Sequence, residues 1–280
     1  MIPLVPIIFL FIILISTGHS DDLSLKKSLT FYASFDNGTN AEIAQGDKQL
    51  YTLINRKSKL GNHTDGMTRL VKGSGLSGDA LKFSKRNAKW LFYDGNKNFH
   101  FAEKNWSGSV SFWMKVDTIN KLDPGYVDPI QITPNTWNDA SFFVDFDKGG
   151  QPRPFRLGAF ADKSVWNPDN KEIPETERPL VTAKSNPFSD KKWTHVAFTW
   201  ERFNTDKKDG IATLYLNGKN EGSIENWNQN FSWAGKTHRI LIGLNYMGLF
   251  DDLACFNRTL SQKEIESIYN HKKSLLGLLK

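Results

Sequence analysis

Apolar side chains recur at every second position in one short stretch after another along this chain. "SLTFYASFD" sets Leu29, Phe31, Ala33 and Phe35 on one face of an extended segment, and "GSVSFWMKVD" repeats the pattern with Val110, Phe112, Met114 and Val116. Phe142, Val144 and Phe146 do so in "SFFVDFD", and Val196, Phe198 and Trp200 in "WTHVAFTWER". Successive side chains of a strand point to opposite faces, so each stretch predicts a half-buried strand. "GIATLYLNGK" adds Ala212, Leu214 and Leu216 and runs into Asn217-Gly218, a dipeptide that tolerates the positive φ of a tight hairpin turn. "HRILIGLN" and "GLFDDLACFN" supply two further strands. Many short strands with turn residues between them, and no alternating helices, predict an all-β antiparallel sandwich of two sheets.

One helix is legible near the end. In "LSQKEIESIYNHKK", Ser261 followed by Glu264 is a capping box, Ile265 and Ile268 form a short apolar edge, and Lys272 and Lys273 suit the C-terminal end of the dipole. Two stretches, 118–140 and 162–192, read as long Pro-rich loops carrying Tyr126, Trp137 and Trp166. Loops of that length in a compact domain are usually functional or disordered. The last strand poses a problem. Alternation puts Asp251 on one face and Asp252 on the other, so whichever face meets the core takes a carboxylate with it unless a bulge intervenes.

The opening "MIPLVPIIFLFIILISTGHS" is set apart from the fold. It is an apolar run of signal-peptide length ending in Gly18-His19-Ser20, a small-x-small cleavage pattern. It predicts export of a chain whose sandwich spans 21–273, with a tail at 274–280, and no membrane span after cleavage; the rival reading is an uncleaved anchor, for which the run is short and holds Pro3 and Pro6. The destination is secretion, the periplasm or the cell surface. The chain has 280 residues, enough for a sizeable core, and Cys255 alone rules out an internal disulfide. A net charge of +6 could attract anionic polymers, but the lysines are scattered and form no stripe with aromatics between them, so no nucleic-acid interface is expected.

Taken in order, "LTFYASFDNG", "GSVSFWMKVD", "WTHVAFTWERFN", "GIATLYLNGK" and "ILIGLNYMGLFDDLACFNRTLSQKEIESIY" resemble the concanavalin A-like lectin/glucanase superfamily, and within it laminin-G-like and pentraxin-like domains. The resemblance runs over roughly residues 28 to 270 and implies a jelly-roll sandwich with a short C-terminal helix. It also implies a calcium ion at the sandwich rim, held by aspartates and main-chain carbonyls. Asp36, ending the first strand, and Asp251, in the last, are the positions similar to such ligands. An ion would offset the repulsion and desolvation of two neighbouring carboxylates. Without it, Asp36 would cap the "DNG" turn and Asp251 or Asp252 would pair with a Lys or Arg.

The same superfamily contains enzymes, and the residues argue against their chemistry here. Retaining glucanases that the chain resembles carry E-x-D-x-x-E on one strand; "FFVDFDKGG" offers Asp145 and Asp147 but no Glu. Lyase members use Arg, Gln, His and Tyr; "DPIQIT" has Gln131, with Thr133 where the His would stand. His195, within "WTHVAF", and Cys255 read as packing residues. Binding fits better, since sugar rings stack on aromatic faces while their hydroxyls meet Asp, Asn and Gln. Tyr126, Trp137 with Asp139, Trp166, Trp227 and Trp233 are the candidates. The expected role is non-catalytic recognition of a glycan or glycoprotein surface. The alternatives are a protein–protein adhesion module of laminin-G type and a divergent glycosidase or lyase.

Overall fold

The computed structural model describes residues 24–54, 58–60, 68–85, 89–117, 122 and 124–279. The leader read at 1–20 lies outside them. A helical turn at 24–28 leads into β1 (Leu29–Ala33), β2 (Ile43–Ala44), β3 (Leu50–Ile54), β4 (Ser58–Leu60) and β5 (Thr68–Val71). Next come β6 (Ala80–Phe83), β7 (Lys89–Asp94), β8 (Trp106–Val116), β9 (Val127–Thr133), β10 (Ser141–Phe146) and β11 (Phe155–Phe160). The short helix α1 (Lys163–Trp166) precedes β12 (Leu180–Thr182), β13 (Thr194–Phe203), β14 (Gly210–Leu216) and β15 (Lys219–Trp227). The chain ends with β16 (Arg239–Leu244), β17 (Gly248–Phe256), α2 (Gln262–His271) and α3 (Leu275–Leu278).

The strands form two antiparallel sheets. The first runs β15-β14-β13-β8-β17-β1-β2, with β6 also on β17 and β5 on β6; the second runs β12-β11-β10-β9-β16-β7-β3-β4. Each predicted inward row lies in the core between them, from Phe112 and Met114 to Val196, Phe198 and Leu214. Leu29 is the exception. The pairing of β1 with β17 slips between Leu29 and Phe31, and Leu29 packs on the outer side with Tyr32, Phe256 and Ile265. The stretch 118–140 is also not all loop, since β9 lies within it, paired to β10 and β16.

Aromatic rings fill the centre. Phe142 lies 4.9 Å from Trp200 and 5.1 Å from Phe231, and Phe99 stacks on Trp200 at 4.8 Å. A second apolar layer covers the outer face of the first sheet, where α2 and α3 bring Ile265, Ile268 and Leu275 against Tyr32, Tyr215 and Phe256. The capping box at Ser261 and Glu264 is formed, and Asn217 (φ 51°) and Gly218 (φ 80°) make the expected hairpin turn between β14 and β15. No described helix is long and apolar enough to cross a membrane.

The Asp251–Asp252 problem is solved by a bulge. Asp251 pairs with Trp113 of β8 but Ala254 with Ser111, so β17 holds one residue too many, and Asp252 takes φ 51°. The shift in phase sends Phe250, Leu253 and Cys255 inward while Ala254 and Phe256 face the outer layer. Neither carboxylate enters the central core. Replacing Phe142 by Ala should lower the unfolding free energy by about 3–5 kcal/mol, seen as a lower urea midpoint with an unchanged slope.

Candidate functional site

Among the described residues no helix covers the face of the second sheet turned away from the core, and a groove of 930 Å³ lies on it. Strand register sets its floor. Asp128 of β9 stands opposite Leu244 of β16, and Asp145 of β10 opposite Arg156 of β11. Pairing of β9 with β10 slips between Val144 and Phe146, which places Asp145 beside Asp128 and Pro129. A second row brings together Leu241, Gln131 and Phe143. Gly158 follows, and a Cβ there would lie 2.3 Å from the Phe143 ring, so only glycine lets that ring lie flat.

The walls come from the two stretches read as long loops. The first supplies Tyr126 and Trp137, 39% and 44% exposed, which are the large apolar side chains left exposed among the described residues. Trp137 meets Phe160 edge-on at 5.6 Å, and Tyr126 lies under the Arg156 guanidinium at 5.1 Å. The second supplies Glu175, Arg178 and Leu180. Asp139 orients the Trp137 loop, its Oδ1 accepting from the Lys163 amide at 2.8 Å and its Oδ2 from Asn135 Nδ2 at 3.0 Å. Trp166 is buried behind the wall, 4.9 Å from Phe160, and its Nε1 donates to the Asn138 carbonyl.

The other two candidate tryptophans lie elsewhere. Trp227, at the end of β15, packs half-buried against the core. Trp233 is buried and stacks on His238 at 4.6 Å beneath a separate pocket of 520 Å³ that includes Lys97, His100 and Lys236. Thus the structure brings Tyr126 and Trp137 together in one groove, with Asp139 and Trp166 supporting them.

Acids of the groove gather on one arginine. Arg156 Nε donates to Asp145 Oδ1 at 2.9 Å and Nη2 to Oδ2, while Nη1 donates to Glu175 Oε1. Asp145 and Arg156 are 3% and 4% exposed, so each has lost most of its hydration and the fork between them offsets that cost. Burial, then the charge of Asp145, pushes the half-buried Asp128 carboxyl well above its ordinary range, and Arg156 opposes this. The sequence reading passed over Asp128, Arg156 and Arg178. The available signal was that Asp145 and Arg156 occupy the outward phase of strands whose inward phase is apolar.

A second acidic site lies at the opposite sheet, where the edge of β17 passes from β6 to β1. Asp251 Oδ2 accepts from the Leu76 amide at 2.7 Å, and Asp36 Oδ1 from the Asp79 amide at 2.8 Å. The "GSGLSGD" loop closes on both: a Cβ on Gly78 would lie 2.0 Å from Asp36 Oδ1, and one on Gly75 2.8 Å from Asp251 Oδ2. Asp252 accepts from Tyr32 Oη, which lies 2.8 Å from Ser274 Oγ. Among the described residues no Lys or Arg pairs with Asp36, Asp251 or Asp252. Burial, then the charge of Asp252, raises Asp251 to about 9; burial raises Asp252 to about 7 against the lowering effect of the Tyr32 hydrogen bond. No described group of three or more His, Cys, Asp or Glu side chains is placed to share an ion, so a cation here would draw its remaining oxygens from main-chain carbonyls.

A family model described as the concanavalin A-like lectin/glucanases superfamily matches residues 92–266. Among solved structures, domain 4 of AbnA, a GH43 extracellular arabinanase from Geobacillus stearothermophilus in complex with arabinotriose, is 17% identical with a TM-score of 0.54, covering 86% of this chain and 98% of that one. The binding domain of Paraclostridial Mosquitocidal Protein 1 is 17% identical, TM-score 0.58, covering 88% of this chain and 53% of that one. The binding domain of Botulinum Neurotoxin DC in complex with SialylT is 16% identical, TM-score 0.56, with 89% and 52% covered. The chain therefore spans about half the length of these toxin domains, and the likenesses establish a shared fold. No curated protein matches in sequence.

The raised carboxyls set a pH dependence. A native pKa above the unfolded value gives stability that is full below the unfolded value and is lost as pH rises through the native one. His195, pushed down to about 3 by burial, and His238, also lowered by burial, are neutral above pH 7 and add nothing there. In chelator, stability should therefore fall from pH 7 to 9 by on the order of 2 kcal/mol. Asp251→Asn should flatten that fall, as read from urea unfolding at each pH.

Proposed function

The chain belongs to the concanavalin A-like lectin/glucanase superfamily, and from that premise we propose that it is an exported, non-catalytic carbohydrate-binding module whose ligand lies in the groove of the second sheet. The observation that carries this reading is the placement of Tyr126 and Trp137. Both exposed aromatics stand in one groove rather than scattered over the surface. Aromatic faces left in water beside polar side chains suit the stacking of sugar rings. Gln131, Asn135 and Asn138 are available to hydroxyl groups, and the cavity has the size usual for a small-molecule or oligosaccharide site. The complexes with arabinotriose and SialylT, formed by proteins of similar fold, support carbohydrate as the ligand class.

The floor argues for holding a sugar rather than cleaving one. Asp145 has both carboxylate oxygens engaged by Arg156, so it is poorly placed to act as nucleophile or base. The leader read at 1–20 supports export. Calcium belongs to the same proposal: Asp36 and Asp251, two carboxylates closed over by one glycine loop and lacking cationic partners among the described residues, would hold it. Bound there, the ion would supply the positive charge that lets both groups ionise.

A glycan array and titration calorimetry on the chain from residue 21 onward test the groove. Trp137→Ala and Tyr126→Ala should each weaken the best glycan about tenfold or more, while Trp227→Ala leaves it unchanged. Equal loss from all three, or binding unaffected by Trp137→Ala, would reject the groove. For the ion, chelator should lower the melting temperature of the wild type but not of Asp36→Ala. A wild-type melt that ignores chelator rejects it.

A further inference from the structure

Two arginines line the groove, and their circumstances differ. Arg156 is saturated by Asp145 and Glu175, with Asp147 at 3.7 Å. Arg178 is half-buried and makes no ion pair among the described residues. Its backbone is fastened on both sides, the amide donating to the Glu175 carbonyl at 3.2 Å and the carbonyl accepting from the Leu180 amide at 2.7 Å. Its Nε donates to the Ile173 carbonyl at 2.8 Å. That bond leaves the two Nη groups of the guanidinium for a ligand. A guanidinium fork matches a planar carboxylate with two parallel hydrogen bonds, and a half-buried one without a counter-ion gains most from finding one.

We infer that the groove selects glycans carrying an acidic sugar, whose carboxylate is held by Arg178. This rests on the groove being the glycan site. Asp145 and Glu175 both bond to Arg156, so this one guanidinium offsets part of the negative charge that would repel such a ligand. Asp128 is faced by Asp145 of β10, Arg156 of β11 and the apolar Leu244 of β16; burial and the charge of Asp145 push its carboxyl well above the ordinary range, against Arg156. The positive charge of the whole chain, +6, favours encounter with an anionic polymer.

The test uses uronate- and sialate-containing oligosaccharides, each beside its methyl ester, in calorimetry at neutral pH and moderate salt. Esterification removes the charge and keeps the ring. It should weaken wild-type binding about tenfold or more. Arg178→Gln should weaken the acid form by a similar factor and leave the ester unchanged, with Arg178→Lys recovering part of the loss. Equal affinity for acid and ester overturns the inference, as does an equal loss for both forms in Arg178→Gln. Tight binding of sulfated glycans lacking a carboxylate, sensitive to Arg178 in the same way, assigns general anion attraction and overturns the carboxylate specificity. If neutral glycans bind and need Trp137 while acidic ones gain nothing, the groove stands and this inference falls. If no glycan binds, both fall together.

Discussion

The fold depends on one extra residue in β17. Strict alternation would have carried Asp252 inward with Phe250, into a core of stacked phenylalanines where Phe112 and Phe250 lie 4.9 Å apart. The bulge at Asp252 resets the phase, so that the core receives Phe250, Leu253 and Cys255 instead. The energetics leave little choice, because an unpaired carboxylate in an apolar interior costs several kcal/mol or must stay protonated. The bulge also coincides with the place where the free edge of β17 passes from β6 to β1, and amide groups from the glycine loop occupy that gap.

This local device determines which face of the molecule can bind. With β1 locked onto β17, Tyr32 reaches Asp252, and Ser274 meets Tyr32 at the start of α3. The C-terminal helices are thereby seated on the outer face of the first sheet, sealing it with Ile265, Ile268 and Leu275. Among the described residues the second sheet has no such cover over β9, β10 and β11. Its outward rows need not be apolar, and Asp128, Gln131, Asp145 and Arg156 occupy them. The loops on either side rise over this floor and are stiffened from behind by Asp139 and Trp166.

Much of this is legible in the amino-acid sequence. Period-two rows such as Val110, Phe112, Met114 and Val116 depend on side-chain direction alone, and they lie inward as read. The resemblance named the fold. Asp36 and Asp251 meet one loop although 215 positions separate them in the chain (251 minus 36), because the first and last strands pair. Trp233 shows the limit. Its neighbours in "NFSWAG" look like a surface loop, yet the ring lies in the central cluster with its Nε1 donating to the Ala140 carbonyl. Whether a loop tryptophan faces water or core is set by packing across 93 residues of sequence, and composition does not carry that information.

The two groove arginines carry the same lesson into function. In the sequence, "PFRLG" and "TERPL" each hold one arginine, and charge counting treats them alike. Register separates them. Arg156 stands directly opposite Asp145 across β10 and β11, where a bidentate pair forms without moving the backbone. Arg178 comes after a turn and before β12, and the short strand that follows pairs through Leu180, Val181 and Thr182, offering no acid across from it. Arg156 is therefore taken up by the acids of the floor, while Arg178 makes no ion pair among the described residues. A guanidinium held apart from the acids of the floor gives a site directional preference, which one paired with them would not provide.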